Sequence, residues 1–185
     1  WNRDKRYYEN SSWRGTKDLD GGTLFTQFSH FIDTIYWIFG DLTINSVEFR
    51  DFNHKNLTNF EDTGTVNFDL KKGGIGTLNY STSVWNENLE SSITIIAENG
   101  SIKIGGQYMD KVLKCTIKNY KMPKLATVNE PNDYGSYKGS AANHQCVIEN
   151  VVDTLNGLKT ITTKSHEGLK VVEIIERIYK LKSSN

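Results

Sequence analysis

Six short segments between residues 43 and 120 alternate apolar and polar side chains, and this pattern limits the possible folds of the 185-residue chain most strongly. Alternation with a period of two is typical of β-strands that bury one face. Asn99-Gly100, between two of the segments, is typical of a tight hairpin turn. Strands that follow one another through short turns pair antiparallel, so we predict a mostly antiparallel sheet of about six strands. The segments are 43–52, 65–70, 75–84, 92–97, 102–104 and 110–120.

Three segments with apolar residues at helical spacing flank these strands, which predicts helices packed on one face of the sheet and an α+β fold class. The first helix is predicted to end at Gly40, the second to run from Ser140 or Ala141 to Gly157, and the third to follow Ser165 as its N-cap. The predicted inner stripes are Leu24, Phe28, Phe31, Ile35 and Ile38; Val147, Ile148, Val151 and Leu155; and Leu169, Val172, Ile175 and Ile178.

Length and composition fit a single domain over residues 1–185. The 22 basic and 22 acidic side chains give a formal net charge of +0, so we predict no nucleic-acid or membrane partner. No apolar run is long enough to span a bilayer, and no signal segment follows the charged start, which favours a cytoplasmic location. Cys115 and Cys146 do not have the spacing of metal ligands, and we predict no metal site.

The sequence contains no dinucleotide-binding fingerprint. Such a fingerprint is a Gly-x-Gly-x-x-Gly turn between a strand and a helix, where the helix N-terminus binds the pyrophosphate. Gly73, Gly74 and Gly76 lie in a predicted hairpin, and no helix is predicted after Gly105-Gly106. The chain therefore has no predicted residues for binding a nicotinamide coenzyme.

Polar residues share one side of the first predicted helix, directly after the Gly21-Gly22 pair. They are Thr26, Gln27, His30 and Asp33. Glycine lets the backbone approach a ligand closely, and the start of a helix favours negative charge. Imidazole titrates near neutral pH and suits proton transfer. This arrangement predicts a small-molecule site, with Asp20 as a helix N-cap and with His54 and His166 on the surface.

The same segment resembles the opening of the substrate-binding half of the Gfo/Idh/MocA oxidoreductases. That pattern is a glycine pair, a His-x-x-Asp motif and an aromatic-rich helix ending in glycine, and it corresponds here to Gly21-Gly22, His30, Asp33 and Gly40. Residues 12–15 and 26–27 are most similar to the branch that acts on nucleotide-linked sugars, including amino-sugar uronates. Residues 163–179 are similar to the closing helix of the family, so the resemblance spans nearly the whole chain.

The resemblance implies that this chain is the C-terminal piece of a longer enzyme. In that family an N-terminal Rossmann domain precedes this portion, binds NAD or NADP and supplies a lysine that assists catalysis. The implied substrate is a sugar, the implied general base is His30, and a homo-oligomer would form through the sheet face. The piece alone is then expected to be inactive. A non-catalytic sugar-binding or oligomerisation domain that retains the fold is the alternative.

Further site residues carry open alternatives. Arg14 would bind a substrate carboxylate or diphosphate, or is an ordinary exposed arginine. Gln27 would hydrogen-bond a sugar ring, or is a helix-surface amide. The family often has an acidic residue four positions before its histidine, where this chain has Thr26, so we expect Thr26 to orient the ligand instead. Asp33 would contact the substrate, or instead supports His30 or caps local structure. His144, after the long loop, would close over the same pocket.

Overall fold

The structure is a computed structural model that describes residues 1–126, 130–133, 135, 138–139 and 143–182. The chain forms two compact units, the first from Trp1–Asn86 with Ile161–Asn185 and the second from Glu87–Thr160. In chain order the elements are α1 (Lys5–Tyr8), α2 (Lys17–Asp20), α3 (Thr23–Thr26), α4 (Ser29–Phe39), β1 (Leu42–Arg50), β2 (Thr63–Leu70), β3 (Ile75–Ser81), β4 (Ile93–Ala97), β5 (Gly100–Gly105), β6 (Lys111–Ile117), β7 (Asn132–Asp133), β8 (Lys138–Gly139), α5 (His144–Leu155) and α6 (Ser165–Lys182). Within the described ranges, no helix has both the length and the apolar character needed to cross a membrane.

All six predicted strands are present and pair antiparallel, which confirms the α+β class. They form two sheets of three, β1-β2-β3 in the first unit and β4-β5-β6 in the second, together with a β7-β8 ribbon. The hairpin predicted at Asn99-Gly100 is confirmed, because Ala97 pairs with Gly100. The single sheet of the prediction is divided because residues 82–92 between β3 and β4 form no tight turn, and Asn86 has a positive φ of 63°.

The core of the first unit lies between the β1-β2-β3 sheet and the helices α3, α4 and α6. Each buried aliphatic side chain in such a core contributes about 1.5–3 kcal/mol to the free energy of unfolding. At the edge of this core the Arg177 guanidinium donates to the Leu42 carbonyl and to the Asp41 carboxylate, which joins α6 to the start of β1. The main core residues are Leu24, Phe28, Ile32, Leu42, Phe49, Val66, Phe68, Tyr80, Val171, Ile174, Ile175 and Ile178.

The first predicted helix is interrupted in the structure. It consists of the single turn α3 and the longer α4, which ends at Gly40 as predicted. Gln27 and Phe28 lie at the break, and both side chains are buried there. Ile38 was predicted to face the core but is 40% exposed, while Ile32 is buried in its place. Phe31 and Ile35 are partly buried and pack against the core, so the predicted stripe is confirmed except at Ile38.

The other two helices also differ from their predicted stripes. In α6 the buried residues are Val171, Ile174, Ile175 and Ile178, whereas Leu169 and Val172 are exposed. Ser165 is the first residue of α6 rather than its N-cap, and the Glu167 carboxylate accepts from the Lys164 N–H at 2.7 Å. In α5 all four predicted inner residues, Val147, Ile148, Val151 and Leu155, are exposed, and the predicted start at 140–141 lies outside the described residues.

The Gly21-Gly22 pair packs against protein side chains. Both glycines have positive φ, 79° and 116°, which end α2 and begin α3. A Cβ on Gly22 would lie 2.4 Å from the Tyr179 hydroxyl oxygen, and a Cβ on Gly21 would lie 3.0 Å from the Phe25 ring. In the described residues, the close approach that glycine permits here is therefore to Tyr179 and Phe25.

Replacing Gly22 with alanine should destabilise the first unit strongly. The new methyl group collides with Tyr179 and also sits at a positive-φ position. We therefore expect the free energy of unfolding to fall by about 2 kcal/mol more than it would from the positive φ alone. Gly73→Ala is the matched control, because Gly73 has a φ of 99° and an added methyl group there would have nothing within 4 Å. Urea unfolding of both variants measures the difference, and equal losses would contradict the predicted collision.

Candidate functional site

Tyr7 of α1 brings two candidate residues together. The Arg14 guanidinium carbon lies 4.2 Å from the Tyr7 ring centroid, and the Gln27 side-chain N–H donates to the Tyr7 hydroxyl at 2.7 Å. A guanidinium over an aromatic face is attracted by the ring quadrupole. Two residues that are well separated in the sequence thus contact different parts of one tyrosine.

Arg3 continues this cluster toward His30. Its Nε donates to the Gln27 side-chain oxygen at 2.6 Å, and its guanidinium lies 4.9 Å from the Trp1 ring and 5.1 Å from the Tyr7 ring. Arg3 and Gln27 are both buried, so the prediction that Gln27 is a surface amide is wrong. The Asn2–Ser83 bridge and the Arg3 N–H to Thr82 carbonyl bond place this segment against the end of β3.

His30, the predicted base, lies at the second position of α4. The residue is exposed, but its ring stacks on Trp1 at 5.3 Å and lies 4.5 Å from the Phe31 ring. Desolvation by these neighbours, followed by the positive charge of Arg3, lowers the pKa of His30 to about 4. The imidazole is therefore neutral at physiological pH and can accept a proton. The same lowering makes His30 a weaker base than a free imidazole, so at neutral pH the ring is unprotonated but holds a proton less tightly.

Arg14 has unused hydrogen-bonding capacity. Its Nε is buried and has no hydrogen-bond partner in the described part of the chain, and its Nη1 makes a contact of only 3.5 Å to the Tyr7 carbonyl. A buried donor without a partner is unfavourable unless a ligand or water satisfies it. Guanidinium donors match the oxygens of carboxylates and phosphates, so Arg14 can bind an anionic group.

Thr26 lies next to the Asp20 carboxylate, a contact that the sequence analysis did not predict. Its hydroxyl donates to Asp20 Oδ1 at 2.6 Å, and Asp20 Oδ2 accepts from the Gly15 N–H at 2.7 Å. Asp20 is the last residue of α2, so the prediction that it is a helix N-cap is wrong; Gly22 occupies that position for α3. The glycine-rich turn reverses the chain after α2, which directs the carboxylate toward Gly15 and Thr26.

The other two predicted substrate residues lie on α4 and α5. Asp33 is exposed on α4 and, among the described residues, its carboxylate makes no hydrogen bond; desolvation and the nearby Glu167 charge raise its pKa. His144 is the exposed first residue of α5 in the second unit. Their roles in substrate binding stay predictions.

His54 is buried, so the prediction of a surface position is wrong, whereas His166 is exposed as predicted. The loop between β1 and β2 folds back under α1, which places the His54 ring 5.3 Å from the Tyr8 ring. His54 Nδ1 lies 3.9 Å from the Asp62 carboxylate, and burial lowers the pKa of His54. The His54 ring therefore packs against Tyr8 of α1, the helix that also carries Tyr7.

A cleft of about 450 Å³ lies in the first unit. Neither His30 nor Arg14 lines it, and its wall includes Glu61 and Tyr179, which the sequence analysis missed. Glu61 lies in an irregular loop, and no local pattern distinguishes a buried glutamate from a surface one. The cleft is lined by Lys17, Gly21, Phe25, Asn59, Phe60, Glu61, Glu176, Tyr179 and Lys180.

The titration of His30 tests this description of the site. We expect the NMR signals of the His30 ring to titrate with a midpoint near pH 4, because the protonated ring would lose solvation by water and would be repelled by Arg3. Since the folded pKa is lowered, His30 favours the folded state above its unfolded pKa of about 6.5 and opposes it as the pH falls. A midpoint near 6.5 in the folded protein would show that the ring is fully solvated.

Two solved dehydrogenases are similar to this chain over its whole length. The WlbA dehydrogenase from Bordetella pertussis in complex with NADH and UDP-GlcNAcA is 25% identical with a TM-score of 0.80, and the WlbA dehydrogenase from Chromobacterium violaceum in complex with the same two molecules is 29% identical with a TM-score of 0.79. Both matches cover 100% of this chain and 50% of the solved chain, so this chain spans about half the length of these relatives.

An inositol dehydrogenase homolog from Azotobacter vinelandii complexed with NAD+ shares the fold at 16% identity, with a TM-score of 0.70 over 96% of this chain and 51% of its own. A search among curated protein sequences finds no match. The model of the oxidoreductase family's C-terminal alpha/beta domain matches residues 1–185. The chain belongs to this C-terminal domain family of the Gfo/Idh/MocA oxidoreductases.

Proposed function

We propose that this chain is the substrate-binding domain of an NAD(P)-dependent dehydrogenase that oxidises a ring hydroxyl of a nucleotide-linked amino sugar or uronate. The neutral imidazole of His30, in one cluster of contacts with Arg3 and Arg14, carries the proposal. The UDP-GlcNAcA bound by the two WlbA dehydrogenases supports this class of substrate.

His30 acts as the base in the proposed reaction. As the hydroxyl is oxidised, its O–H proton passes to the free ring nitrogen of His30, and the C–O bond becomes a carbonyl. A nicotinamide coenzyme, held by a domain outside this chain, would supply the acceptor for the hydride that leaves the same carbon. At neutral pH His30 is unprotonated, as a proton acceptor must be, while its lowered pKa makes it a weaker base than a free imidazole.

The two guanidinium groups account for an anionic substrate. Arg3 is buried between the Trp1 and Tyr7 rings, and Arg14 lies on the Tyr7 ring with its Nε donor unused by described residues. Two positive charges around one tyrosine favour a carboxylate or a diphosphate, because charge-assisted hydrogen bonds from guanidinium are strong and directional. A neutral sugar offers only uncharged oxygen acceptors, which bind a guanidinium more weakly than a carboxylate or a phosphate does.

We also propose that the chain contributes to a homo-oligomer through sheet surfaces. Ile96 on β4 is 85% exposed and Leu113 on β6 is 50% exposed. Large exposed apolar side chains are typical of surfaces that bind another protein. Sedimentation of the isolated chain measures this directly, and a monomer at micromolar concentration would remove the support for assembly through these strands.

Substitution of the proposed base tests the enzymatic role. In the full-length enzyme, His30→Ala should lower the rate of NADH formation from UDP-GlcNAcA by about 10²–10⁴-fold, because the proton loses its acceptor. His166→Ala is the control, since His166 is an exposed histidine near the start of α6. Unchanged NADH formation in His30→Ala would contradict the assignment. If the wild-type protein binds UDP-GlcNAcA but forms no NADH, the result would favour the non-catalytic alternative.

A further inference from the structure

The hydrogen-bond polarity of Thr26 is set by its described neighbours. The Thr26 hydroxyl lies 2.6 Å from Asp20 Oδ1 and 3.4 Å from the Gly22 carbonyl oxygen, and both are acceptors. A threonine hydroxyl has one hydrogen and two lone pairs. With the hydrogen directed to Asp20, the oxygen of Thr26 can only accept from a further partner. Within the described part of the chain, no group donates to it.

Asp20 is held so that it keeps this polarity. The residue is 4% exposed, and its other oxygen accepts from the Gly15 N–H at 2.7 Å. An ionised carboxylate accepts at both oxygens and donates at neither. Asp20 therefore satisfies a backbone donor on one side and receives the threonine hydrogen on the other.

From this geometry we infer that Asp20 is a positioning residue that makes Thr26 a hydrogen-bond acceptor for the substrate. Thr26 would then select a substrate that presents a donor at this point, either a sugar hydroxyl or an amide N–H. The inference rests on the proposed function, because Thr26 is a predicted substrate residue four positions before His30. It adds the direction of one hydrogen bond and the buried residue that sets it.

Substitution of Asp20 by asparagine should reverse that direction. An asparagine side chain has one acceptor oxygen and one donor NH₂ group. The Gly15 N–H requires the oxygen, because a backbone donor without an acceptor is costly. The NH₂ group then faces Thr26 and donates to it, so the Thr26 hydrogen turns toward the ligand and meets a donor.

The test is a double-mutant cycle in the full-length enzyme with UDP-GlcNAcA as the probe. Wild type, Asp20→Asn, Thr26→Val and the double variant are compared by calorimetric Kd and by kcat. We expect Asp20→Asn to raise Kd about tenfold with little change in kcat, because one substrate hydrogen bond is replaced by an unfavourable contact. In the Thr26→Val background the same change should have no further effect on Kd.

Asp18→Asn and Thr34→Val are the matched controls. Asp18 is exposed on the same one-turn helix as Asp20, and the Thr34 hydroxyl donates to the His30 carbonyl within α4. Neither should change Kd. Thr26→Ser keeps the hydroxyl, so Asp20→Asn should still raise Kd in the Thr26→Ser background, which separates the hydrogen bond from the shape of the side chain.

Three results would overturn the inference. An equal rise in Kd from Asp20→Asn in both backgrounds would show that Asp20 acts through Gly15 alone. Wild-type affinity in Thr26→Val would show that the hydroxyl does not contact the substrate, and this arm holds even when Asp20→Asn fails to fold. Wild-type enzyme that neither binds nor oxidises UDP-GlcNAcA would overturn the proposed function itself, and the inference with it.

Discussion

A single buried carboxylate fixes the geometry of the first unit. Glu61 Oε1 accepts from the Tyr80 hydroxyl at 2.9 Å and from the Tyr179 hydroxyl at 2.7 Å, which joins β3 to α6. Burial, and then the Glu61 charge, raises the pKa of both tyrosines, so they remain donors. The Tyr179 oxygen accepts from the Leu24 N–H, and the Thr23 hydroxyl donates to the Glu61 carbonyl. The start of α3 is thereby held from two sides.

The position of α3 decides which polar residues form a cluster. Because α3 is fixed by Glu61 and Tyr179, the chain breaks after Thr26 and turns the Gln27 side chain inward, where Arg3 and Tyr7 bind it. Beyond the break, α4 carries His30 onto the Trp1 ring. A continuous helix would have kept all the polar residues of this segment on one surface. The site therefore depends on tertiary contacts more than on helical periodicity.

Local signals predicted the strands and the hairpin, because alternation and an Asn-Gly turn are encoded by neighbouring residues. The inner stripes of α5 and α6 were harder to predict, since several apolar residues in each helix allow more than one phase. No local pattern in the sequence indicated which distant residues contact one another. Tyr179 contacts Leu24 across 155 positions, and Arg3 contacts Gln27 across 24. The resemblance implied a role for His30, which stays a prediction, whereas burial of His54 and Glu61 depends on segments that only the fold brings together.

The pairing of Asp20 with Thr26 shows why roles cannot be transferred position by position. The resemblance implies an acidic residue four positions before the histidine, where this chain has Thr26. Considered alone, the threonine would remove a negative charge from the site. Here a carboxylate lies 2.6 Å from the threonine hydroxyl, supplied by a residue six positions earlier. A carboxylate is thus still present at one hydrogen bond's distance from position 26. Under our proposal, the Thr26 oxygen would face the substrate as a neutral acceptor, and this would change which substrate group the site recognises.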